Sequence, residues 1–157
     1  MATFQRRKPA PVINGGYLLY RPFLREDFRH CCAYCLLHEF WAGGERNFEI
    51  DHFRPASRFP HLIGEYENLF YACHVCNQVK SDHWVPPGLE AAGISLVDLC
   101  DSDWGVHYRL ELNGTLEPLT ASAYYTITTL RLNSLHFVSF RAFLLRTGLR
   151  LDEDPTI

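Results

Sequence analysis

The order of hydrophobic and polar positions between residues 48 and 85 predicts two short strands followed by a helix. Residues 48–53 form an apolar-rich segment typical of a strand. It ends at Arg54-Pro55 because proline has no N–H to donate to a ladder. Residues 69–72 indicate a second strand or a strand-like lead-in. A helix is expected to begin near Cys73 and to end before Pro86. Together these segments predict a compact ββα unit.

The residues that precede this unit predict a loose start and one short helix. Residues 1–13 contain Arg6-Arg7-Lys8 and are broken by two prolines, which favours a loose basic arm. Apolar residues then recur at helical spacing and predict a helix over residues 23–31.

The C-terminal half predicts a β-hairpin. Apolar residues alternate along a first strand and are expected to share one face: Val106, Tyr108, Leu110 and Leu112. Asn113-Gly114 is a strong hairpin turn signal, and residues 115–119 would form the returning strand.

Two helices are expected after the hairpin. The first would cover residues 120–130, and the second would run from residue 133 or 134 to 147, ended by Gly148. Four residues of the second helix are predicted to lie near one face: Leu135, Val138, Ala142 and Leu145.

Composition agrees with one domain of ordinary size. The chain has 157 residues, of which 47% are hydrophobic, enough to build a core.

The apolar run at residues 17–20 is far too short for a signal sequence or a membrane span, which favours a cytoplasmic protein. We therefore predict an α+β fold over residues 1–157. Its ββα core lies at 30–85, and the hairpin and two helices form an extension at 97–150.

Charge is unevenly distributed along the chain. The net charge is −3, which does not favour tight unaided binding to a polyanion such as a nucleic acid. Residues 1–60 carry nine basic and six acidic residues, residues 61–120 carry two and nine, and the remainder carry four and three. Phosphate binding, if it occurs, is therefore expected to depend on the N-terminal third and on Lys80. The acidic middle is compatible either with help from a partner or simply with a solvated face.

Four of the six cysteines fall into two C-x2-C pairs, Cys32/Cys35 and Cys73/Cys76. Zinc takes four soft ligands in a tetrahedron, and two residues between cysteines allow one turn to present both thiolates. The spacing predicts a structural Zn²⁺ site, which contributes on the order of 10 kcal/mol to folding in small domains. The alternatives are buried free cysteines or a thiol redox pair, although the βαβ context of a redox motif is missing. Three nearby histidines are close enough in sequence to be substitute ligands, but each is expected beside the site or at the surface: His30, His38 and His74.

A second group of polar residues has the chemistry of a phosphodiester hydrolase. Imidazole titrates near neutral pH, so His52 is suited to accept a proton from water. The oxygens of Asp51 and Asn77 are hard ligands that suit Mg²⁺ or Mn²⁺. Asn68 could bond the backbone of the Asp51-His52 segment and hold the imidazole, or it could be a simple turn or cap residue.

Three charged residues are candidates for supporting roles near this group. Lys80 lies about one helical turn beyond Asn77 and is expected to contact a phosphate of the nucleic acid. Arg54 either contacts a phosphate or holds the loop. Glu49 lies two residues from Asp51 on the same face of the strand and is a candidate for support of the site.

As a set, these residues resemble the HNH endonuclease family. The resemblance is carried by Asp51-His52, Asn68, Cys73-His74-Val75-Cys76-Asn77, Lys80 and, upstream, Cys32-Ala33-Tyr34-Cys35. It implies the ββα-metal fold with a four-cysteine zinc, and a one-metal cut in DNA that leaves 3′-hydroxyl and 5′-phosphate ends. It also implies His52 as general base, Asp51 and Asn77 as ligands of the catalytic ion, and Asn68 as the orienting residue. The third family letter is Asn77 rather than His, a common variant.

A weaker resemblance concerns the biological role. Residues 97–133 are similar to the tail of bacterial HNH proteins of anti-phage defence operons, which implies an effector role and a partner ATPase.

We predict a metal-dependent DNA endonuclease. The alternative is a non-catalytic, zinc-stabilised module that binds DNA or protein, but such a module does not need a carboxylate beside a histidine. DNA versus RNA, one cut or two, and the oligomeric state stay open.

Overall fold

The computed structural model describes residues 3–157, which divide into two units. The N-terminal unit is Phe4–Trp84, and the C-terminal unit is Val85–Ile157 together with Thr3. Among residues 3–157, no helix combines the length and the apolarity needed to span a bilayer.

The N-terminal unit is built around the predicted ββα core. Its regular elements in chain order are α1 (Arg21–Asp27), β1 (Phe48–His52), β2 (Leu69–Cys73) and α2 (His74–Lys80), with 3₁₀ turns at Tyr17–Tyr20, Glu39–Ala42, Glu45–Asn47, Pro60–Leu62 and Tyr66–Asn68. The strands pair antiparallel, with Phe48 opposite Cys73 and His52 opposite Leu69. The chain passes from β2 directly into α2. The ββα prediction is confirmed.

The core of this unit follows from the different patterns of its two strands. All five residues of β2 are apolar and buried, as expected for a strand covered on both faces. In β1 only Phe48 and Asp51 are buried, so its other residues reach the surface. The ring of Phe70 in β2 lies 4.5 Å from Phe53 and 5.4 Å from Phe28, centroid to centroid. Aromatic packing therefore fixes β2 as the centre of the unit.

The N-terminal segment is packed, unlike the loose arm that the sequence predicts. Phe4 is buried and its ring lies 5.0 Å from that of Phe28. Arg7 forms an ion pair with the buried Asp27, with Nε 2.7 Å from Oδ1. The prediction is wrong from Phe4 to Arg7 because the basic residues have carboxylate and aromatic partners in the core. Residues 1 and 2, the start of the predicted arm, lie outside the described residues.

The C-terminal unit contains the predicted hairpin and both predicted helices. Its elements are α3 (Pro87–Ala91), α4 (Trp104–His107), β3 (Tyr108–Leu110), β4 (Leu116–Pro118), α5 (Ala121–Thr129) and α6 (Leu135–Thr147). β3 and β4 pair antiparallel, with Tyr108 opposite Pro118. Gly148 ends α6 in the left-handed conformation, with φ of +70°.

Two polar side chains, those of Asn133 and Arg141, join the hairpin to the residues before and within α6. The amide of Asn133 bonds both backbone groups of Leu116, each over 2.8 Å. The guanidinium of Arg141 is buried and donates to the carbonyl oxygens of Gly114 (2.6 Å) and Leu132 (2.7 Å). Charge-assisted bonds to backbone carbonyls stabilise an arginine in the core.

The buried face of α6 differs from the predicted one. The structure buries Phe137, Arg141, Ala142 and Leu144, whereas Leu135 is 81% exposed and Leu145 is 39% exposed. In the hairpin, likewise, Tyr108 is buried while Leu112 is 90% exposed. Hydropathy places the helix face wrongly because it treats Arg141 as a surface residue, whereas its carbonyl acceptors draw it inward.

Gly114 is required at the hairpin turn by the close approach of α6. Its φ is +88°, and an added Cβ would lie 2.2 Å from the carbonyl oxygen of Val138 and 2.7 Å from the backbone nitrogen of Ala142. Both atoms belong to the helix backbone and cannot move independently. The turn therefore admits glycine alone without a shift of the helix.

Gly114→Ala is expected to lower the free energy of unfolding of the C-terminal unit by about 2–4 kcal/mol, through backbone strain and overpacking. Calorimetric melting should show this as a lower transition temperature. Gly88→Ala is the matched control, since Gly88 lies in α3 with open space around it. That variant should melt within a few degrees of the parent. Equal melting of the two variants would contradict the packing argument.

Glu39 accepts hydrogen bonds from three side chains of the N-terminal unit. Its carboxylate binds Arg25 Nε over 2.9 Å, the hydroxyl of Tyr71 over 3.0 Å and Nδ1 of His30 over 3.1 Å. Burial alone would raise the pKa of Glu39, but the bonds from Arg25, His30 and Tyr71 outweigh it and lower the pKa to about 2. The folded protein therefore favours the ionised form.

This shift predicts a pH dependence of stability. A pKa lowered from 4.5 to about 2 adds stability that is fully present above pH 4.5 and is lost as the pH falls towards 2. Glu39→Gln should remove this part of the acid dependence, on the order of 2 kcal/mol. Urea unfolding at several pH values between 2 and 6 measures it. Glu67→Gln, at an exposed position, should leave the parent's pH profile unchanged.

Candidate active site and metal centre

The four cysteines of the two C-x2-C pairs converge in one buried cluster. Their sulfur atoms all lie within 4.8 Å of one another, and those of Cys35 and Cys73 are 3.8 Å apart. In a tetrahedral zinc–thiolate site with Zn–S near 2.3 Å, the sulfur atoms are roughly 3.8 Å apart. Spacing, burial and donor type thus fit a zinc ion held by Cys32, Cys35, Cys73 and Cys76, as predicted.

The electrostatics of the cluster also favour a cation. Burial would raise the pKa of the Cys32 thiol, but hydrogen bonds from the other three thiols lower it well below its usual range, while hydrogen bonds to Cys32 raise the pKa values of Cys35 and Cys76. A thiolate crowded by three thiols is the state that a metal ion stabilises further.

Cys31 lies outside the cluster and donates to the carbonyl of Arg29 over 3.3 Å. His74 is bonded to Glu49 instead, with Nδ1 3.0 Å from Oε1.

A cleft of about 420 Å³ lies beside the end of β1. Asp51 and His52 line it from β1, and Asn77 lines it from α2. Its other walls are Ile50, Pro55, Ala56, Ser57, Gln78, Ser81 and Asp82. The structure therefore brings three of the predicted catalytic residues to one opening.

The imidazole of His52 is held from two sides. Its Nε2 lies 3.1 Å from the carbonyl oxygen of Ile63, and its ring meets the ring of Tyr17 edge-on at 4.7 Å. A carbonyl oxygen can only accept, so Nε2 carries the proton of the neutral ring. Nδ1 is then the unprotonated nitrogen, as a general base requires.

Asn68 closes the loop that follows His52. Its Oδ1 accepts from the backbone N–H of Arg54 over 2.9 Å, and its Nδ2 donates to the carbonyl oxygens of Arg54 (3.0 Å) and Leu62 (3.3 Å). The prediction placed these bonds on the Asp51-His52 backbone, but they fall on Arg54, two residues later, and on Leu62. Asn68 thus fixes both ends of the segment between His52 and Ile63.

Asp51 is buried in an ion pair with Lys80. The Lys80 ammonium lies 3.0 Å from Oδ2 of Asp51 and donates to the carbonyl oxygen of His52 over 2.8 Å. Oδ2 also accepts a hydrogen bond from the hydroxyl of Tyr34. Burial raises the pKa of Asp51, and the positive charge of Lys80 works against that rise.

The prediction that Lys80 contacts a phosphate is corrected by this geometry. The Lys80 side chain is fully buried, so its ammonium does not reach the surface where a phosphate would lie. Sequence spacing places Lys80 one turn after Asn77, but Asp51 and the His52 carbonyl draw the amine inward. Its role here is to hold the end of β1 against α2.

Glu49 on β1 is bonded to two side chains of α2. It accepts hydrogen bonds from Nδ2 of Asn77 and from His74. Partial burial would raise the pKa of Glu49, but these bonds lower it overall. Because Asn77 uses its nitrogen for Glu49, its carbonyl oxygen is the end left to act as an acceptor or a metal ligand.

Arg54 is an exposed cation on the loop that lines the cleft. Its guanidinium lies 4.9 Å from the ring centroid of Trp84 and 5.4 Å from that of Phe59. Stacking on two aromatic rings limits the positions of the side chain. Arg54 follows His52 by two residues and precedes Pro55, a wall of the cleft.

Two tyrosines near the site were not identified from the sequence. Tyr17 contacts His52 from a 3₁₀ turn, and Tyr34 contacts Asp51 from within the first cysteine pair. The position of Tyr34 between two zinc ligands was the available signal. Nothing in the local pattern around Tyr17 indicates its contact, which depends on the tertiary fold.

The fold and the cysteine cluster together define a ββα domain of the four-cysteine, zinc-binding type. Residues 32–83 match the model of the HNH endonuclease family, and the chain therefore carries an HNH endonuclease domain in that segment. The matched segment contains both cysteine pairs, both strands and α2. None of the curated proteins matches the chain.

The purified protein is expected to contain one zinc per chain. Cys76→Ser should lose this zinc and should melt at a markedly lower temperature. The three remaining thiolates leave the fourth coordination position without a cysteine ligand. Metal analysis by mass spectrometry and thermal melting measure the two effects. Cys100→Ser, outside the cluster, should retain one equivalent. Full zinc content in Cys76→Ser would argue against the four-cysteine site.

Proposed function

We propose that this protein is a metal-dependent DNA endonuclease that hydrolyses phosphodiester bonds by a one-metal HNH mechanism. The observation that carries the proposal is the position of His52. Its unprotonated Nδ1 belongs to a ring that lines the same cleft as Asp51 and Asn77, inside an HNH endonuclease domain.

His52 is the general base in this proposal. It removes a proton from the attacking water at Nδ1, while Nε2–H stays bonded to the Ile63 carbonyl oxygen. The bond to Ile63 stabilises the imidazolium that results and keeps the ring in one orientation. Asn68 supports this arrangement because it bonds the backbone at Arg54 and Leu62.

Asp51 and Asn77 would hold the divalent ion, Mg²⁺ or Mn²⁺. A carboxylate has about four lone-pair positions, so Asp51 retains acceptor capacity beyond its bonds to Tyr34 and Lys80. Asn77 offers its carbonyl oxygen because its nitrogen is bonded to Glu49. The ion supplies positive charge that stabilises the negative charge developing on the phosphate and the leaving oxygen.

Arg54 is the proposed phosphate contact of the site. It is exposed, pre-oriented by Trp84 and Phe59, and located on the loop that lines the cleft. It takes over the role that the sequence assigned to Lys80. The chain has a net charge of −3, so this single cation does not support tight unaided binding to DNA.

The finer biological role that we propose is that of effector in a bacterial anti-phage defence system, gated by a partner ATPase. Two sequence features support it: the resemblance of residues 97–133 to the tails of such proteins, and the acidic charge of residues 61–120. A nuclease that binds DNA weakly alone can be kept inactive until a partner delivers the substrate.

Cleavage of supercoiled plasmid tests the enzymatic proposal. With Mg²⁺ or Mn²⁺, the protein should nick or linearise the plasmid, and His52→Ala should reduce the rate by about 10²–10⁴-fold through loss of the general base. His61→Ala is the matched control, because His61 is an exposed histidine of the same unit that does not line the cleft. It should cut like the parent.

Two further arms of the experiment distinguish the alternatives. Zinc content measured in each sample shows that the inactive variant is folded, and a parallel RNA substrate tests the preference for DNA. A zinc-loaded parent protein that binds DNA without cutting it, with both metals, would contradict autonomous cleavage. It would favour the non-catalytic binding module or an enzyme that needs its partner.

A further inference from the structure

Tyr34 extends from the zinc-binding segment to the catalytic strand. It lies between Cys32 and Cys35, and its side chain is almost fully buried. Its ring stacks on Phe70 with centroids 5.7 Å apart, and the neighbouring Ala33 N–H donates to the carbonyl oxygen of Tyr71 over 2.8 Å. Backbone and ring are thus both fixed to β2, so the direction of the hydroxyl is fixed as well.

The carboxylate of Asp51 is held by donors from two different elements. Lys80 on α2 approaches both oxygens, with Nζ 3.1 Å from Oδ1 and 3.0 Å from Oδ2. Tyr34 approaches Oδ2 alone. An ammonium group is a point charge that does not define the rotation of a carboxylate about its Cβ–Cγ bond. A second donor at one oxygen does define it.

We propose that Tyr34 is a positioning residue that orients the carboxylate of Asp51 for binding of the catalytic divalent ion. This inference rests on the proposed function, in which Asp51 is a ligand of that ion. Without the hydroxyl, Lys80 alone holds the carboxylate, and the rotation of Asp51 about its Cβ–Cγ bond is no longer fixed. The segment that supplies two thiols of the cysteine cluster therefore also sets the geometry of the catalytic centre.

Direct binding of Mn²⁺ tests this role without reference to cleavage. Electron paramagnetic resonance titration of the zinc-loaded parent and of Tyr34→Phe gives the two dissociation constants for Mn²⁺. We expect binding to weaken about five- to tenfold in Tyr34→Phe, and the Mn²⁺ concentration for half-maximal plasmid cleavage to rise by a similar factor. Affinity for DNA should stay the same, because Tyr34 is buried.

Tyr71→Phe is a closely matched control. Tyr71 is also a buried tyrosine of this unit, and its hydroxyl also donates to a buried carboxylate, that of Glu39, over 3.0 Å. Glu39 does not line the cleft. The control should lose a similar amount of thermal stability and bind Mn²⁺ as the parent does. Equal weakening in both variants would mean a general loss of packing and would overturn the inference.

A double-mutant cycle with Asp51→Asn shows whether Tyr34 acts through Asp51. If it does, Tyr34→Phe should have no further effect on Mn²⁺ binding in the Asp51→Asn background, since coupled residues are non-additive. Unchanged or tighter Mn²⁺ binding in Tyr34→Phe alone would refute the inference while plasmid cleavage by the parent still supported the nuclease. Failure of the parent to cut would instead count against the proposed function.

Discussion

The buried ion pair between Asp51 and Lys80 is the interaction on which the candidate site depends. Removal of two charges from water costs several kcal/mol, and attraction offsets this only when further hydrogen bonds support the pair. Tyr34 donates one such bond to the carboxylate, and the His52 carbonyl oxygen accepts one from the ammonium. The pair joins the end of β1 to the end of α2, and so sets the spacing of the elements that carry His52 and Asn77.

The parts of the molecule that sequence predicted well are those in which local chemistry determines structure. A C-x2-C pair needs only one turn to present two sulfur atoms, so the cysteine cluster follows from spacing. The strands and α2 follow from short apolar runs ended by Arg54-Pro55 and by the second cysteine pair. Asn113-Gly114 fixes the C-terminal hairpin because glycine tolerates positive φ at the turn.

The parts that sequence did not predict depend on where long basic side chains find acceptors. Lys80, Arg141 and Arg7 all appear as surface residues in the hydropathy pattern, yet each has buried partners. Their acceptors are distant in sequence, so no local period reveals them. The same limit applies to Tyr17, whose contact with His52 joins residues 35 positions apart. These errors moved side chains between the surface and the core, while the order of strands and helices was unaffected.

The bond from His52 to residue 63 uses a backbone oxygen, and this affects how the site can vary in evolution. The side chain of Ile63 is 38% exposed and takes no part in the bond, so many residues at that position would present the same carbonyl. Selection would then act on the number of residues between β1 and β2, which places the carbonyl, more than on the identity of residue 63. In comparisons of related sequences, a constant loop length would mark this part of the candidate site even where the residue types differ.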